Sequence, residues 1–170
     1  MHGQGIIHRD LKCANILVNT DAVIKLSDFG ASKKLTEMKI GSQKGSMFEN
    51  PEMNKSLKGS PFWMAPEVVR QVGHGPQSDI WSIGCCIIEM ATGEPPWIEV
   101  GSNSDQILNK LRTTKEPPKI PSVLSRDCQK FLELCFQMDP MYRPQARELL
   151  IHPFVSVDDD SSKQSLNASQ

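Results

Sequence analysis

The sequence has few aromatic residues and no long apolar run. Phe, Trp and Tyr make up only 6% of its 170 residues. No apolar stretch reaches the roughly 18 residues that a membrane-spanning helix requires, and the N-terminus lacks the apolar segment of a secretory signal peptide. These absences argue against an integral membrane protein and against a secreted one.

A net charge of one sign is also absent. Lys and Arg total 19 against 20 Asp and Glu, which leaves a formal charge of -1. A chain this balanced has no long-range field that would attract nucleic acid or an anionic membrane. We therefore expect neither as a partner, and we expect any phosphate-binding site to be local.

The cysteines do not form a pattern typical of disulfides or of zinc sites. They are odd in number, and no two have the C-x-x-C spacing. Their positions are Cys13, Cys85, Cys86, Cys128 and Cys135. Reduced thiols are typical of a reducing compartment, so the sequence predicts a cytoplasmic protein.

Short aliphatic runs near the N-terminus predict small strands. The runs cover residues 5–7, 15–18 and 22–26. The last two flank "NTD", whose Asn and Asp tolerate tight turns, and so they predict a hairpin.

Helical periodicity dominates the second half of the chain. Capping residues and apolar spacing predict helices at 78–92, 102–112, 125–137 and 143–150. The expected fold class is therefore mainly α with a small β-hairpin array.

Two stretches show no such periodicity. Residues 31–60 are polar and rich in lysine, and a stretch of this length without its own structure is usually functional or disordered. Residues 156–170 are acidic, rich in Ser and poor in apolar groups, which predicts a disordered tail. We expect one folded unit over residues 1–155.

Three side chains that carry oxygen lie near the predicted strand ends. Asp10 and Asn15 are five residues apart, and Asp28 follows the second strand of the hairpin. Carboxylate and amide oxygens are ligands that Mg²⁺ takes while keeping water and substrate phosphates. The alternative is that all three simply form turns, which is the better interpretation for any one of them alone.

Their motifs favour the chemical interpretation. H-R-D-L-x-x-x-N, D-F-G and A-P-E occur in this order at 8–15, 28–30 and 65–67. The chain resembles the C-terminal lobe of a eukaryotic protein kinase over residues 1–155. The wording of "DFGASKKL", "GSPFWMAPEVV" and "HPFV" is most similar to the MAP kinase kinase kinase branch.

The resemblance implies an ATP- and Mg²⁺-dependent serine/threonine kinase whose substrate is a protein, normally a kinase of the next tier. It implies that Asp10 is the catalytic base and that Asn15 and Asp28 hold Mg²⁺. Lys12 would contact the transferred phosphoryl group, a lysine that favours Ser/Thr substrates. Leu17 matches the aliphatic floor of the adenine pocket.

The resemblance also implies regulation through residues 31–60, which match the activation segment. Arg9 resembles the arginine that docks a phosphorylated residue of this segment. Ser60 resembles the residue of the substrate-facing loop that touches the catalytic Asp. Ser56 is our candidate phosphosite, with Ser42 and Ser46 as alternatives; all three serines could also be ordinary solvated loop residues.

Structural roles follow from the same resemblance. Glu67 and Arg143 match a buried ion pair that ties the end of the activation segment to the helical part of the lobe. Asp79 resembles a carboxylate at a helix start that bonds the backbone of the catalytic loop. His8 and Phe29 are expected to pack on each other, so His8 is structural.

The sequence contains no Gly-rich loop and no V-A-I-K lysine, which precede these motifs in kinases. We therefore expect that the N-terminal lobe is missing, that a two-lobed architecture cannot form, and that the 170-residue chain has little activity alone. The alternative is a non-catalytic kinase lobe that acts as a protein-binding module through its helical face.

Overall fold

The computed structural model describes residues 1–35 and 60–156. Four short strands form two antiparallel pairs in this part of the chain. Strands β2 (Ile16–Val18) and β3 (Ile24–Leu26) form the predicted hairpin, with Leu17 opposite Lys25. The Asn19 side chain stabilises its turn by accepting hydrogen bonds from the backbone of Asp21 and Val23.

The first aliphatic run pairs with a distant partner. Strand β1 (Ile6–Ile7) runs antiparallel to β4 (Lys33–Lys34). Sequence reasoning missed β4 because two consecutive lysines give no strand signal. Backbone pairing with β1 defines this strand, and its two side chains remain exposed.

Five α-helices follow within residues 60–156. They are α1 (Pro66–Val69), α2 (Pro76–Thr92), α3 (Ser104–Thr113), α4 (Arg126–Cys135) and α5 (Ala146–Leu149). Helices therefore occur in all four regions that periodicity predicted. The expected start at residue 143 is wrong, because Arg143 is extended and the proline after it disfavours a helical residue before it.

Several connections are single turns of 3-10 helix. They cover His2–Gln4, Cys13–Asn15, Phe29–Ala31, Pro61–Trp63, Ile98–Val100 and Pro140–Tyr142. Counting these turns, about half of the described residues are helical, beside two small sheets. The prediction of a mainly α fold is therefore corrected to a mixed one, because residues 2–34 form short strands and tight turns.

Helix α2 is the centre of the core. Its residues Ile80, Trp81 and Cys85 are almost completely buried. The Trp81 ring meets the Phe136 ring edge to face, with 5.0 Å between centroids. Among the residues described here, no helix has the length and apolarity to cross a membrane.

Gly84 allows Phe136 to approach α2 closely. A Cβ atom at Gly84 would lie 2.8 Å from Phe136 Cε1 and 3.0 Å from the Cβ of Cys135. Both neighbours belong to the packed core, so neither can move without disturbing other contacts. The missing side chain at this position sets the distance between α2 and the end of α4.

We predict that Gly84→Ala lowers the free energy of unfolding by about 1–3 kcal/mol, because overpacking forces side chains from their preferred rotamers. Urea unfolding followed by circular dichroism measures the change. Gly3→Ala is the matched control, since no atom lies within 4 Å of a Cβ there. Equal stability of the two variants would contradict the close approach.

Candidate active site

The candidate catalytic loop, residues 8–15, is anchored by one buried carboxylate. Asp79, in the first turn of α2, is 1% exposed. Its Oδ2 accepts a hydrogen bond from the His8 backbone N–H at 2.8 Å, and its Oδ1 accepts one from the Arg9 N–H at 2.9 Å. The sequence predicted that Asp79 bonds the loop backbone, and the structure places it there.

These bonds hold a strained turn. Arg9 has φ of 73°, in the left-handed region that side chains other than glycine rarely adopt. Such a conformation costs of order 1–3 kcal/mol and persists only where the surroundings enforce it. The two bonds from Asp79 enforce it here, so the backbone direction at Asp10 depends on a residue about 70 positions away.

The loop presents Asp10 beside three polar partners. Asp10 Oδ1 accepts a hydrogen bond from the Ser60 N–H at 3.2 Å, and its Oδ2 lies 3.2 Å from Lys12 Nζ. Lys12 Nζ also donates to the Ser60 hydroxyl at 3.0 Å. Asn15 donates from Nδ2 to the Asp10 carbonyl at 2.8 Å. The structure therefore brings these four residues into one cluster, which includes the predicted contact of Ser60 with Asp10.

The segment that carries Asp28 is bonded to the catalytic loop through Ser27, the residue before Asp28. Both the backbone N–H and the hydroxyl of Ser27 donate to the Asn15 carbonyl, at 2.9 Å and 3.2 Å. Asp28 is exposed, has φ of 57°, and caps the following turn by accepting from the Gly30 N–H. Two bonds thus tie the segment that carries Asp28 to the catalytic loop at Asn15.

The donor set fits a hard divalent cation such as Mg²⁺. Because the Nδ2 of Asn15 donates to the Asp10 carbonyl, its Oδ1 points away from that carbonyl. An amide oxygen and an exposed carboxylate are suitable ligands. Within residues 1–35 and 60–156, no group of three or more His, Cys, Asp or Glu side chains could hold a metal. A cation held by Asn15 and Asp28 would therefore need further ligands, such as water or substrate phosphate.

His8 of the H-R-D motif and Phe29 of the D-F-G motif pack against each other. The His8 ring donates from Nε2 to the Ser27 carbonyl at 3.0 Å and lies 4.9 Å from the Phe29 ring between centroids. His8 is completely buried, whereas Phe29 is 48% and Leu17 53% exposed. Phe29 and Leu17 therefore present apolar surface beside the catalytic loop.

Glu67 and Arg143 form a buried, bidentate ion pair. Arg143 donates from its two terminal nitrogens to Glu67 Oε1 at 2.6 Å and to Oε2 at 2.8 Å. Ser78 donates to the same Oε1 at 3.0 Å, and Arg143 also bonds the Gln77 carbonyl at 2.9 Å. The pair thus joins α1, the start of α2 and the segment before α5.

Three polar atoms at and around Arg9 are buried without a hydrogen-bond partner among the described residues. They are His8 Nδ1, Arg9 Nε and His74 Nε2. Burial lowers the pKa of Arg9 from its ordinary value, although Asp79 partly offsets the effect. Burial, followed by the Arg9 charge, lowers the pKa of His74 to about 4, so His74 is neutral at neutral pH. The candidate phosphosite Ser56, with Ser42 and Ser46, lies outside the described residues.

Two contacts at the site were not predicted. His2 donates from Nε2 to Asp79 Oδ2 at 2.8 Å, which adds a third donor to the anchor. Trp63 donates from its indole nitrogen to Glu89 Oε2 at 2.8 Å. Neither pair has a local sequence signal, because the partners are separated by 77 and 26 positions.

The five cysteines are free thiols, and four of them are buried. Burial, then hydrogen bonding and charge from Glu89, raises the pKa of Cys13 to about 12. Burial also raises the pKa of Cys86 and of Cys85 above the ordinary value. Since the thiolate is the reactive form, Cys13 is a weak nucleophile despite its position in the catalytic loop.

Known proteins are similar in sequence to nearly the whole chain. The family model of the protein kinase domain matches residues 1–155. The chain belongs to the protein kinase family. It is 45% identical over 161 residues to mitogen-activated protein kinase kinase kinase A of Dictyostelium discoideum. It is 48% identical over 156 residues to mitogen-activated protein kinase kinase kinase 3 of Arabidopsis thaliana.

These alignments cover most of this kinase chain but a small part of each relative. They include 95% of the chain and 16% of the Dictyostelium protein, and 92% of the chain and 22% of the Arabidopsis protein. Cell division control protein 7 of Schizosaccharomyces pombe is 42% identical over 163 residues, which are 96% of the chain and 14% of that protein.

We predict that Asp79→Asn destabilises the kinase chain by about 2–3 kcal/mol, because the amide has one acceptor oxygen and directs its NH₂ group at a backbone donor. Chemical unfolding measures the change. Glu133→Gln, which makes the same carboxylate-to-amide change on the exposed side of α4, is the control and should alter stability by less than about 0.5 kcal/mol. Wild-type stability in Asp79→Asn would show that the loop does not depend on this anchor.

We predict that iodoacetamide labels Cys13 in the native protein at pH 7.5 at least tenfold more slowly than it labels the same residue in denaturant, because the raised pKa leaves little thiolate. Labelling should accelerate as the pH rises toward the raised pKa. Peptide mass spectrometry follows each of the five thiols separately. Rapid labelling of Cys13 at pH 7.5 without unfolding would contradict the assignment.

Proposed function

We propose that residues 1–155 are the C-terminal lobe of an ATP- and Mg²⁺-dependent serine/threonine protein kinase. The observation that carries the proposal is the cluster in which Asp10, Lys12, Asn15 and Ser60 are joined by direct hydrogen bonds and an ion pair. The polar segment 31–60 serves as its activation segment, and the kinase domain ends at residue 155. The free thiols are consistent with a cytoplasmic location.

Asp10 is the catalytic base. It accepts the proton of the substrate hydroxyl as that oxygen bonds to the terminal phosphorus of ATP, while the bond from this phosphorus to the bridging oxygen breaks and ADP leaves. Its carboxylate is oriented by the Ser60 N–H on one oxygen and by the Lys12 ammonium on the other. Two fixed donors hold the base in place before the substrate arrives, which is the form of preorganisation that enzymes use to lower barriers.

Lys12 stabilises the charge that develops on the transferred phosphoryl group. Its ammonium lies between Asp10 and the Ser60 hydroxyl, at 3.2 Å and 3.0 Å. A fixed cation near developing negative charge is worth more than one in water, because it need not reorganise. The hydrogen bond from Lys12 to Ser60 also links the Lys12 ammonium to the loop that faces the substrate.

Asn15 and Asp28 would hold Mg²⁺, which would neutralise the nucleotide phosphates when bound. Asn15 keeps its amide orientation through the bond to the Asp10 carbonyl, and Asp28 is tied to the same loop through Ser27. Leu17 and Phe29 are about half exposed and present apolar surface beside the catalytic loop. Leu17 would contact adenine there. Arg9 would bind a phosphorylated residue of the activation segment, for which Ser56 is the candidate.

The substrate is proposed to be a protein, and specifically a kinase of the next tier. The proposal comes from the relatives, whose printed names describe kinases of MAP kinase kinases. Catalysis also requires groups that cover the nucleotide phosphates, and this sequence contains neither a Gly-rich loop nor a V-A-I-K lysine. We therefore propose that the 170-residue chain by itself transfers phosphate poorly.

We predict that Asp10→Asn lowers kcat of the full-length product, meaning a protein in which a kinase N-terminal lobe precedes residues 1–155, by about 10²- to 10⁴-fold, because the amide cannot accept the proton. KM for ATP should stay within about threefold, since Asp10 does not bind the nucleotide. The assay is transfer of labelled phosphate from Mg²⁺-ATP to a MAP kinase kinase, with phosphoamino acid analysis expected to give phosphoserine and phosphothreonine.

Asp127→Asn, at an exposed carboxylate on α4, is the control for the same chemical change and should retain wild-type kinetics. The 170-residue chain is assayed in parallel and should transfer at least a hundredfold less. Wild-type transfer in Asp10→Asn would contradict the role of the base. Saturable binding of the partner kinase without any transfer by the full-length product would instead favour a binding module.

A further inference from the structure

Residues 60–63 form the segment that we expect to face the substrate. Trp63, the last residue of this substrate-facing segment, is bonded to helix α2 at two points. Its carbonyl accepts a hydrogen bond from the Ser82 hydroxyl at 2.8 Å, and its indole N–H donates to Glu89 Oε2 at 2.8 Å. Ser82 and Glu89 are seven residues apart, so they lie on one face of α2 about two turns from each other. A residue bonded at both points cannot rotate or slide along the helix.

The catalytic loop reaches the same face of α2 through Cys13. Its thiol donates to the Cys86 carbonyl at 3.5 Å. Cys86 lies between Ser82 and Glu89 in this helix, so Cys13 and Trp63 bond adjacent turns of α2. After burial, Glu89 also contributes to the raised pKa of Cys13.

The same two segments also meet at the reacting atoms. Ser60, three residues before Trp63, donates its N–H to Asp10 and accepts from Lys12. Lys12 is the neighbour of Cys13 in the chain. The catalytic loop and the substrate-facing segment are thus bonded to each other at Ser60, and each is also bonded to α2, the loop through Cys13 and the segment through Trp63.

We propose that Glu89 is a positioning residue that holds Trp63 on α2 and so fixes the substrate-facing segment, residues 60–63, against the catalytic loop, which Cys13 bonds to the same helix. The inference rests on the proposed kinase function. Glu89 touches neither nucleotide nor reacting atoms, so its effect is on the geometry in which a protein substrate is presented. The chemical step itself keeps all of its groups when Glu89 is removed.

A carboxylate suits this role because of its charge. Hydrogen bonds to an ionised acceptor are shorter and about twice as strong as bonds to a neutral one. Glu89 and Trp63 are both partly buried, so water competes only weakly for the bond between them. A glutamine would keep an acceptor oxygen for the indole and lose the charge, which makes it the informative conservative variant.

The first test does not depend on activity. Hydrogen–deuterium exchange of the full-length protein, followed on peptides that contain residues 60–65, measures how firmly the segment is held. We expect Glu89→Ala to accelerate exchange there about tenfold, and Glu89→Gln to restore most of the protection. Glu94→Ala, at an exposed glutamate just beyond α2, is the matched control and should leave exchange unchanged.

The second test separates positioning from general damage. We expect Glu89→Ala to raise KM for the protein substrate about tenfold while KM for ATP stays within twofold, and Glu89→Gln to recover most of the loss. Trp63→Phe keeps an aromatic ring but loses the donor, and should give a similar increase. Combining it with Glu89→Ala should add little, because both changes break one interaction.

The inference is overturned if Glu89→Ala leaves exchange at residues 60–65 unchanged, if its kinetics match those of Glu94→Ala, or if KM for ATP rises in parallel with KM for the protein. If the wild-type product transfers no phosphate, the proposed function fails on its own, and the exchange measurement still decides whether Glu89 holds the segment. Faster exchange in Glu89→Ala and in Trp63→Phe, with the split in KM, supports the proposal.

Discussion

The buried carboxylate of Asp79 is the interaction on which the catalytic loop depends. Two backbone N–H groups of consecutive residues, His8 and Arg9, converge on its two oxygens. Arg9 can keep its left-handed backbone only because these bonds offset the strain. Asp10 follows directly, so the direction of the proposed base is set by a helix residue far along the chain. A carboxylate is needed because it offers acceptors on both oxygens to two donors.

Helix α2 acts as the common frame for the site. Its first turn supplies Asp79 to the catalytic loop, and its last turns supply Glu89 to Trp63. Its buried face packs Trp81 against Phe136, so the frame is rigid because close-packed cores transmit displacement rather than absorb it. The ion pair between Glu67 and Arg143 holds helix α1, which lies between Trp63 and α2 in the chain. Loops that lack regular structure are thereby held at defined distances from one helix.

Local patterns predicted much of the fold, and their errors have physical causes. The hairpin was predictable because Asn19 bonds its own turn backbone, and the helices because their apolar faces repeat at helical spacing. Strand β4 was not, because Lys33 and Lys34 become a strand only through pairing with β1. The helix predicted from residue 143 starts later, because Arg143 is held extended while its guanidinium bonds Glu67. These errors occur where tertiary partners override local preference.

The sequence by itself determined the family, because H-R-D-L-x-x-x-N, D-F-G and A-P-E occur together in order, and it named the residues on which the proposed chemistry rests. Only the tertiary structure decided which atoms meet. It directed Lys12 to both Asp10 and Ser60, turned the Asn15 amide toward the loop backbone, and brought Trp63 to Glu89. The reason is that spacing along a chain fixes residue identity and local turns, whereas contacts between distant segments are selected by core packing and by the need to pair buried polar groups.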